Sequence, residues 1–391
     1  NYQAEYGRLS GANVHIISKS GTREFHGLGS YWKRHEQFNA NNFFNNFLSQ
    51  PKPRYRYNTW NYNVGGPLYV PGKFNTNKEK LFFFWSQEFW PLTSTTGLQR
   101  RTMPSELERA GNFSQSLDQN NALTVVRDPY NNRQPFPGNT IPANRVDPNG
   151  QALLRFFPLP NFLDRSVSRG AYNYVFQAEQ NTPKRTETLK LDYHASPRDI
   201  VSFNWTHRRD EQNGPLQSGT NFDHLSLTNL NDGFVYIGRY QKILSPTLIN
   251  ELNVSFSDRP WNHYIEESEL RRNQRDQAGY RLGQFSPSIN PFNLLPNATF
   301  GGIPGAASIN YEGRTPLTTT HKIFTFSNNV SKTFTRHNVK AGFYADRIWA
   351  DNQTAIPFNG TFAFARNVNN PLETDYAYAN AALGVFNSYV E

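Results

Sequence analysis

Hydrophobic and polar residues alternate with a period of two along several stretches of the chain. That is the pattern of a strand whose successive side chains face opposite ways. Residues 187–194 place Leu189, Leu191 and Tyr193 on one face and Lys190, Asp192 and His194 on the other. Residues 200–207 repeat it, with Val201, Phe203 and Trp205 opposite Ser202, Asn204 and Thr206. Between them Ser196-Pro-Arg-Asp199 is turn chemistry, so the two stretches form a predicted hairpin. Phe234, Tyr236 and Tyr240 alternate along the next strand. Leu248, Leu252, Val254 and Phe256 follow, opposite Glu251, Asn253 and Ser255, after a tight Ser245-Pro246-Thr247 turn. A third hairpin runs from His321 to Phe334, through Thr335-Arg-His-Asn338, into Val339, Ala341, Phe343 and Ala345. Residues 57–69 and 80–90 make an earlier pair. The alternation is imperfect in places: Val235 and Ile237 fall on the polar face, and Phe82 and Phe84 have aromatic neighbours on both sides. About nine strands are expected, with a candidate tenth near 376–390.

The connections alternate too. Short turns close the hairpins, whereas residues 91–185, 210–232 and 258–319 are long and rich in Asn, Pro, Gly, Gln and Arg. An outer-membrane barrel has this asymmetry, with short turns on the periplasmic side and long loops outside. The fold class expected is therefore all-β, an antiparallel transmembrane barrel. The face carrying Leu, Val, Phe and Trp meets lipid, and the face carrying Lys, Asp, Glu and Asn lines a polar interior.

Composition narrows this further. Of the 391 residues, 15% are aromatic, with 31 Phe, 20 Tyr and 7 Trp, yet the mean hydropathy is −0.72. Aromatic girdles around a polar lumen account for that combination; a large secreted β-protein with aromatic ligand platforms is the competing account. The absence of Cys excludes disulfides, thiolate metal sites and a Cys nucleophile. No apolar run approaches the 20 or so residues that a membrane-spanning helix needs. The net charge of +9 raises nucleic acid as a partner, but the basic residues are scattered or paired. The densest basic and aromatic cluster, Lys52-Pro-Arg54-Tyr-Arg56-Tyr, reads as a solvated loop, and no nucleic-acid partner is expected.

The head of the chain carries a resemblance. Ala4-Glu5-Tyr6-Gly7 with Ser10-Gly11, then residues 14–22 from Val14 to Thr22, resemble the last stretch of a plug domain; Glu24-Phe25-His26-Gly27 resembles the start of a barrel. Residues 58–67, ending Gly65-Gly66-Pro67, and 80–85 resemble the next two strands. Glu108-Arg-Ala-Gly-Asn-Phe-Ser114, Asp128-Pro129, residues 141–148 and Phe157-Pro-Leu-Pro-Asn161 follow in order. The ordered set resembles the TonB-dependent receptors, most closely their Oar-like branch, over nearly the whole chain. On that resemblance residues 1–21 are the end of a plug and 22–391 the first part of the barrel. Plugged transporter barrels have about 22 strands, so the chain is expected to be a fragment carrying about nine or ten of them. The resemblance implies energy-coupled uptake of a bulky solute such as a siderophore, glycan or peptide. The implied partners are outer-membrane lipid and lipopolysaccharide, and the TonB-ExbB-ExbD complex acting through an N-terminal part not in this chain. A structural or adhesive barrel without transport is the alternative.

Sites for other chemistry are not legible. No zincin, phosphate-loop, nucleophile-elbow or dinucleotide motif occurs, so no catalytic, cofactor or metal residue is assigned and an enzyme is not expected. His194 and His207 read as lumen or interface residues rather than ligands. Glu266-Glu267 reads as a solvated pair, and residues 229–233 as a turn before a strand rather than a calcium loop. Trp261, Tyr264, Phe292 and Phe300 fall in expected loops; they are candidate solute contacts, weighed against packing within their own loops. The solute-binding residues stay unassigned.

Overall fold

A computed structural model describes residues 17–214, 221–311, 317–353 and 359–391. Its main sheet contains β1 (His26–His35), β2 (Tyr55–Pro67), β3 (Leu81–Thr95), β4 (Glu179–Ser196) and β5 (Asp199–Gly214). These are followed by β6 (Leu227–Ser245), β7 (Leu248–Asp258), β8 (Trp261–Ile265), β9 (Thr318–Thr333) and β10 (Asn338–Gln353). Each strand pairs antiparallel with the next in an up-and-down meander, except that β8 lies against β6. β7 and β8 are one strand interrupted: Phe234↔Asp258 and Asn231↔Trp261 share a register, and Pro260 between them has no N–H to give the ladder. The first and last strands, β1 and β10, do not pair with one another, so the sheet is open.

The turns are built as their sequences require. Ser196 Oγ donates to Asp199 at 2.7 Å, and the register shifts by one residue beside it. The same shift precedes the Ser245-Pro246-Thr247 turn. Such bulges fit tight turns to twisted strands. Residues 68–80 are organised by Asn75, whose φ of 49° puts it in the left-handed region that Asn tolerates. Its amide donates to the carbonyls of Leu68 and Leu81 at 2.8 and 3.1 Å, and its carbonyl accepts from the N–H groups of Glu79 and Lys80 at 2.8 Å. Asn75→Ala is expected to cost about 2 kcal/mol by stranding these groups, read as faster proteolysis within 68–80.

The two faces of the sheet separate as expected. Leu189, Phe203, Tyr236 and Phe256 lie outward, with Trp85 and Trp205 stacked 6.1 Å apart and Trp60 on Phe89 at 3.8 Å. Lys190, Asp192, Ser202 and Asn204 lie on the opposite face. Residues 17–21, a coil, run along that polar face. Ser18 Oγ donates to Asn204 at 2.8 Å and Lys190 Nζ to Ser20 Oγ at 2.8 Å. A side chain at Gly21 would stand 2.3 Å from the Phe83 carbonyl and 2.6 Å from that of Gly66, so only glycine lets the segment lie on the wall. The misplaced aromatics find their reason here: Phe84 packs beside the bare Gly65, and Phe82 meets His194 at 5.5 Å. The rest of the plug reading, residues 1–16, falls outside the described residues.

β4 and β6 are 18 and 19 residues long, whereas about 9–11 tilted residues cross a bilayer. They therefore run past the apolar band. On the outward face of β5, Val201, Phe203 and Trp205 give way to His207, Arg209 and Glu211. This corrects the expected loop limits, since polar residues on both sides of the ladder hid the strand ends. Residues 229–233 lie inside β6, paired throughout with β5 and as far as Asn231 with β8, and are not a turn.

The buried core lies at the long-loop end, built from the β3–β4 and β8–β9 connections, residues 222–225 and the segment after β10. Its helices include α1 (Glu106–Arg109), α2 (Pro148–Phe156) and α3 (Ala377–Leu383). The expected strand near 376–390 is instead α3 followed by a short strand, Ser388–Val390. Alternating Tyr376 and Tyr378 mimic a strand, but the alanine-rich run favours a helix, with six of seven residues buried, and Gly384 at φ 77° ends it. α2 crosses α3 so closely that a Cβ on Gly150 would lie 1.7 Å from the Ala381 carbonyl. Buried Arg275 ties three carbonyls together, those of Leu294, Leu282 and Asn359, at 2.8–3.0 Å. We refer to this loop-built unit as the cap.

Candidate functional site: a cleft in the cap

The residues singled out by sequence go elsewhere. Trp261 and Tyr264 lie on β8, and the Trp261 indole donates to Asn229. Phe292 packs against the cap core. Phe300 is only 2% exposed and meets Phe157 at 5.6 Å, Phe364 at 5.5 Å and Tyr378 at 5.0 Å. It packs between connections rather than within its own, which corrects the expectation. His207 faces outward, bridged by Glu187 at 2.9 Å and Asp232 at 2.5 Å. The basic cluster is not the solvated loop expected, since Tyr55 to Tyr57 open β2: Lys52 donates to the Glu36 and Asn39 carbonyls, Arg54 meets Glu179 at the start of β4 at 2.9 Å and Arg56 meets Glu36 at 3.3 Å. Glu267 is solvated and paired with Arg271 one turn on.

A cavity of about 660 Å³ opens between the β3–β4 connection, the β8–β9 connection and the segment after β10. That size suits a small organic ligand. Its floor is fixed by α1. Ser105 and Glu108 form a capping box, in which the Ser105 N–H donates to Glu108 at 2.7 Å and the Glu108 N–H to Ser105 at 3.3 Å. The other Glu108 oxygen accepts from Ser116 at 2.7 Å and Tyr376 at 2.9 Å. Burial, and Glu108 beside it, push the Tyr376 hydroxyl far above its ordinary range, so it stays a donor.

One wall is cationic. Arg133 Nη2 donates to Asp375 at 2.8 Å, Arg127 stands 3.2 Å from the other oxygen, and Arg366 lies 3.6 Å from Asp375 and from Glu373, beyond hydrogen-bonding reach. The Glu373 carboxyl is fully buried, and neither oxygen makes a hydrogen bond of ordinary geometry. Burial, with Asp375 close by, pushes its pKa up. Three guanidiniums therefore stand against two carboxylates, and the half-exposed Arg366, 3.6 Å from both, faces the opening. Arg127 and Arg133 are held by a neighbouring rivet: Asp128, lowered by its bidentate bond to Arg145 at 2.5 and 2.8 Å, pins the short Arg127–Asp128 strand. On the other wall Phe162 and Tyr172 sit 5.3 Å apart. Arg165 is fixed by Asn121 at 2.9 Å and by the Asp118 carbonyl at 2.5 Å. Behind the cleft, burial holds the His224 imidazole down at about 3, so it remains neutral.

The sequence could not assemble this site. Arg127 and Arg366 are far apart in the chain, and of the blocks its sequence marked only the one beginning at Glu108 supplies a lining residue.

With an outward apolar band, an opposed polar wall and a loop-built cap in place, the comparison with known families is direct. The sequence matches the family described as an outer membrane beta barrel domain over residues 17–391. The chain belongs to that family. This outer-membrane barrel protein has no match among curated proteins. A solved structure of similar shape is that of the outer membrane transporter YddB from Escherichia coli. The likeness has a TM-score of 0.43 at 9% identity and covers 89% of this chain but 33% of that one. The present chain thus spans about a third of that protein's length. Family membership assigns the β-sheet to the outer membrane, with its apolar face toward lipid.

Proposed function

We propose that the chain is part of a gated, energy-coupled receptor of the TonB-dependent type, in the Oar-like branch, that takes up a bulky solute and performs no catalysis. The observation that carries this reading is the path of residues 17–21 along the polar wall, held by Asn204 and Lys190 and seated on Gly66 by the bare Gly21. A chain that approaches its first strand from inside the barrel supports a plug in the lumen. The open edges of β1 and β10 support completion of the barrel by further strands, because unpaired backbone groups in lipid cost several kcal/mol each. On this reading the inner-membrane TonB-ExbB-ExbD complex acts through sequence preceding residue 1, and lipopolysaccharide surrounds the outer rim. The cap's own core favours one other reading, an adhesive barrel displaying the cap.

Ion conductance separates the two. The full-length protein in a planar bilayer is expected to be closed, and deletion of everything before Thr22 is expected to open a large steady conductance, with folding checked by heat-modifiable mobility. A deletion variant that folds and stays closed would remove the basis for a gated receptor.

A further inference from the structure

We infer that the cap cleft binds a carboxylate-bearing oligosaccharide, its acid group on Arg366 and Arg127 and a sugar ring against Phe162 and Tyr172. The inference rests on the reading of the protein as a receptor and names its ligand class.

The cationic wall carries the first half of the argument. Asp375 takes Arg133 and Arg127 at 2.8 and 3.2 Å but leaves Arg366 at 3.6 Å. The second acid, Glu373, is fully buried and without a well-formed hydrogen bond. Three guanidiniums thus stand against two carboxylates, and Arg366 reaches neither of them within hydrogen-bonding distance. A buried acid with unmet hydrogen-bonding capacity, beside an under-neutralised arginine that lines an open cleft, is an arrangement that an incoming anion completes. Guanidinium forks match carboxylate geometry, and two of them line the cavity from different segments.

The opposite wall says what the anion is attached to. Phe162 and Tyr172 form a tilted aromatic pair, and the exposed amides of Gln115, Gln119 and Asn120 line the same cleft. Flat aromatic faces meet the apolar face of a sugar ring, and amides hydrogen-bond to hydroxyls in pairs. An acidic peptide can also meet an arginine cluster; the aromatic pair and the amides on the opposite wall favour the sugar, and the peptide is one arm of the test. The cavity of about 660 Å³ has room for more than one sugar ring.

The test is calorimetric binding to the full-length protein in detergent, using a short oligogalacturonate, its methyl ester and a glutamate-rich peptide. The free acid is expected to bind about tenfold more tightly than the ester, and Arg366→Ala to lose about tenfold of that affinity, the value of one charged hydrogen bond. Arg366 is 54% exposed, so this variant should fold; Arg366→Lys should restore part of the affinity. No binding of the acid, equal binding of the ester, tighter binding of the peptide, or an unchanged Arg366→Ala variant would each overturn the inference. A gated barrel that ignores the oligomer overturns this inference alone. A barrel that binds it yet conducts freely with its full N-terminus overturns only the receptor reading.

Discussion

Replacing Phe203 by arginine is expected to cost about 2–4 kcal/mol of insertion free energy, while Ser202→Arg, one residue away, costs close to nothing. Phe203 pairs with Leu191 and Gly238 on the outward face, in the middle of the apolar band. A guanidinium there faces hydrocarbon with no partner. Ser202 lies on the other face directly opposite Asp192, to which it already donates at 2.7 Å. An arginine at 202 would meet that carboxylate in a polar lumen. The measurement is the urea midpoint for folding of the full-length protein into lipid vesicles, followed by heat-modifiable mobility. Equal losses from the two variants would mean that the faces had been assigned the wrong way round. The contrast is sharp because a strand has a period of two, so neighbouring residues meet opposite solvents.

That same period explains which parts of the fold were legible. The hairpins at 187–207, 234–256 and 321–345 were readable because each has one apolar face, and a slip of one residue would turn that face into the lumen. The strand ends were not, because beyond the apolar band both faces are polar. His207, Arg209 and Glu211 continue β5 with no change that a reader of hydropathy could see. The cap was the larger omission. Its connections looked like polar loops, since Asn, Pro and Gly set their turns, while the residues that bury there come singly from distant segments. Phe113, Phe157, Phe300 and Tyr378 share no local periodicity. The cleft has the same character: Arg127, Arg366 and Phe162 each sit in an unremarkable stretch and acquire meaning only when three connections meet. α3 shows a different failure, a Tyr-x-Tyr alternation overridden by alanine's helix preference and by burial against α2.

Phe300→Ala is expected to remove about 3–5 kcal/mol from the cap, the usual cost of deleting a buried aromatic ring. Its ring lies where the β3–β4 connection, the β8–β9 connection and the last segment converge, through Phe157, Phe364 and Tyr378. Backbone pairing between those three is short, three residue pairs of Asn297–Thr299 with Thr361–Ala363 and the single Thr102↔Ala306 bridge, so the cavity left behind weakens a union that rests largely on side-chain packing. A unit of this size holds together by about 5–15 kcal/mol in all, so the loss takes a large share of it. The strands should survive, because their pairing does not run through Phe300. The expected pattern is a full-length protein that keeps its heat-modifiable mobility but is cleaved rapidly by protease within 96–178 and 266–311. Phe300→Leu, which retains most of the volume, should lose roughly half as much. Unchanged cleavage would show that the connections are held independently of one another. The consequence reaches the cleft as well: Gly301 and Gly302, which follow Phe300 directly, form part of its rim. Anchoring of that ring therefore governs both the stability of the cap and the shape of the site it carries.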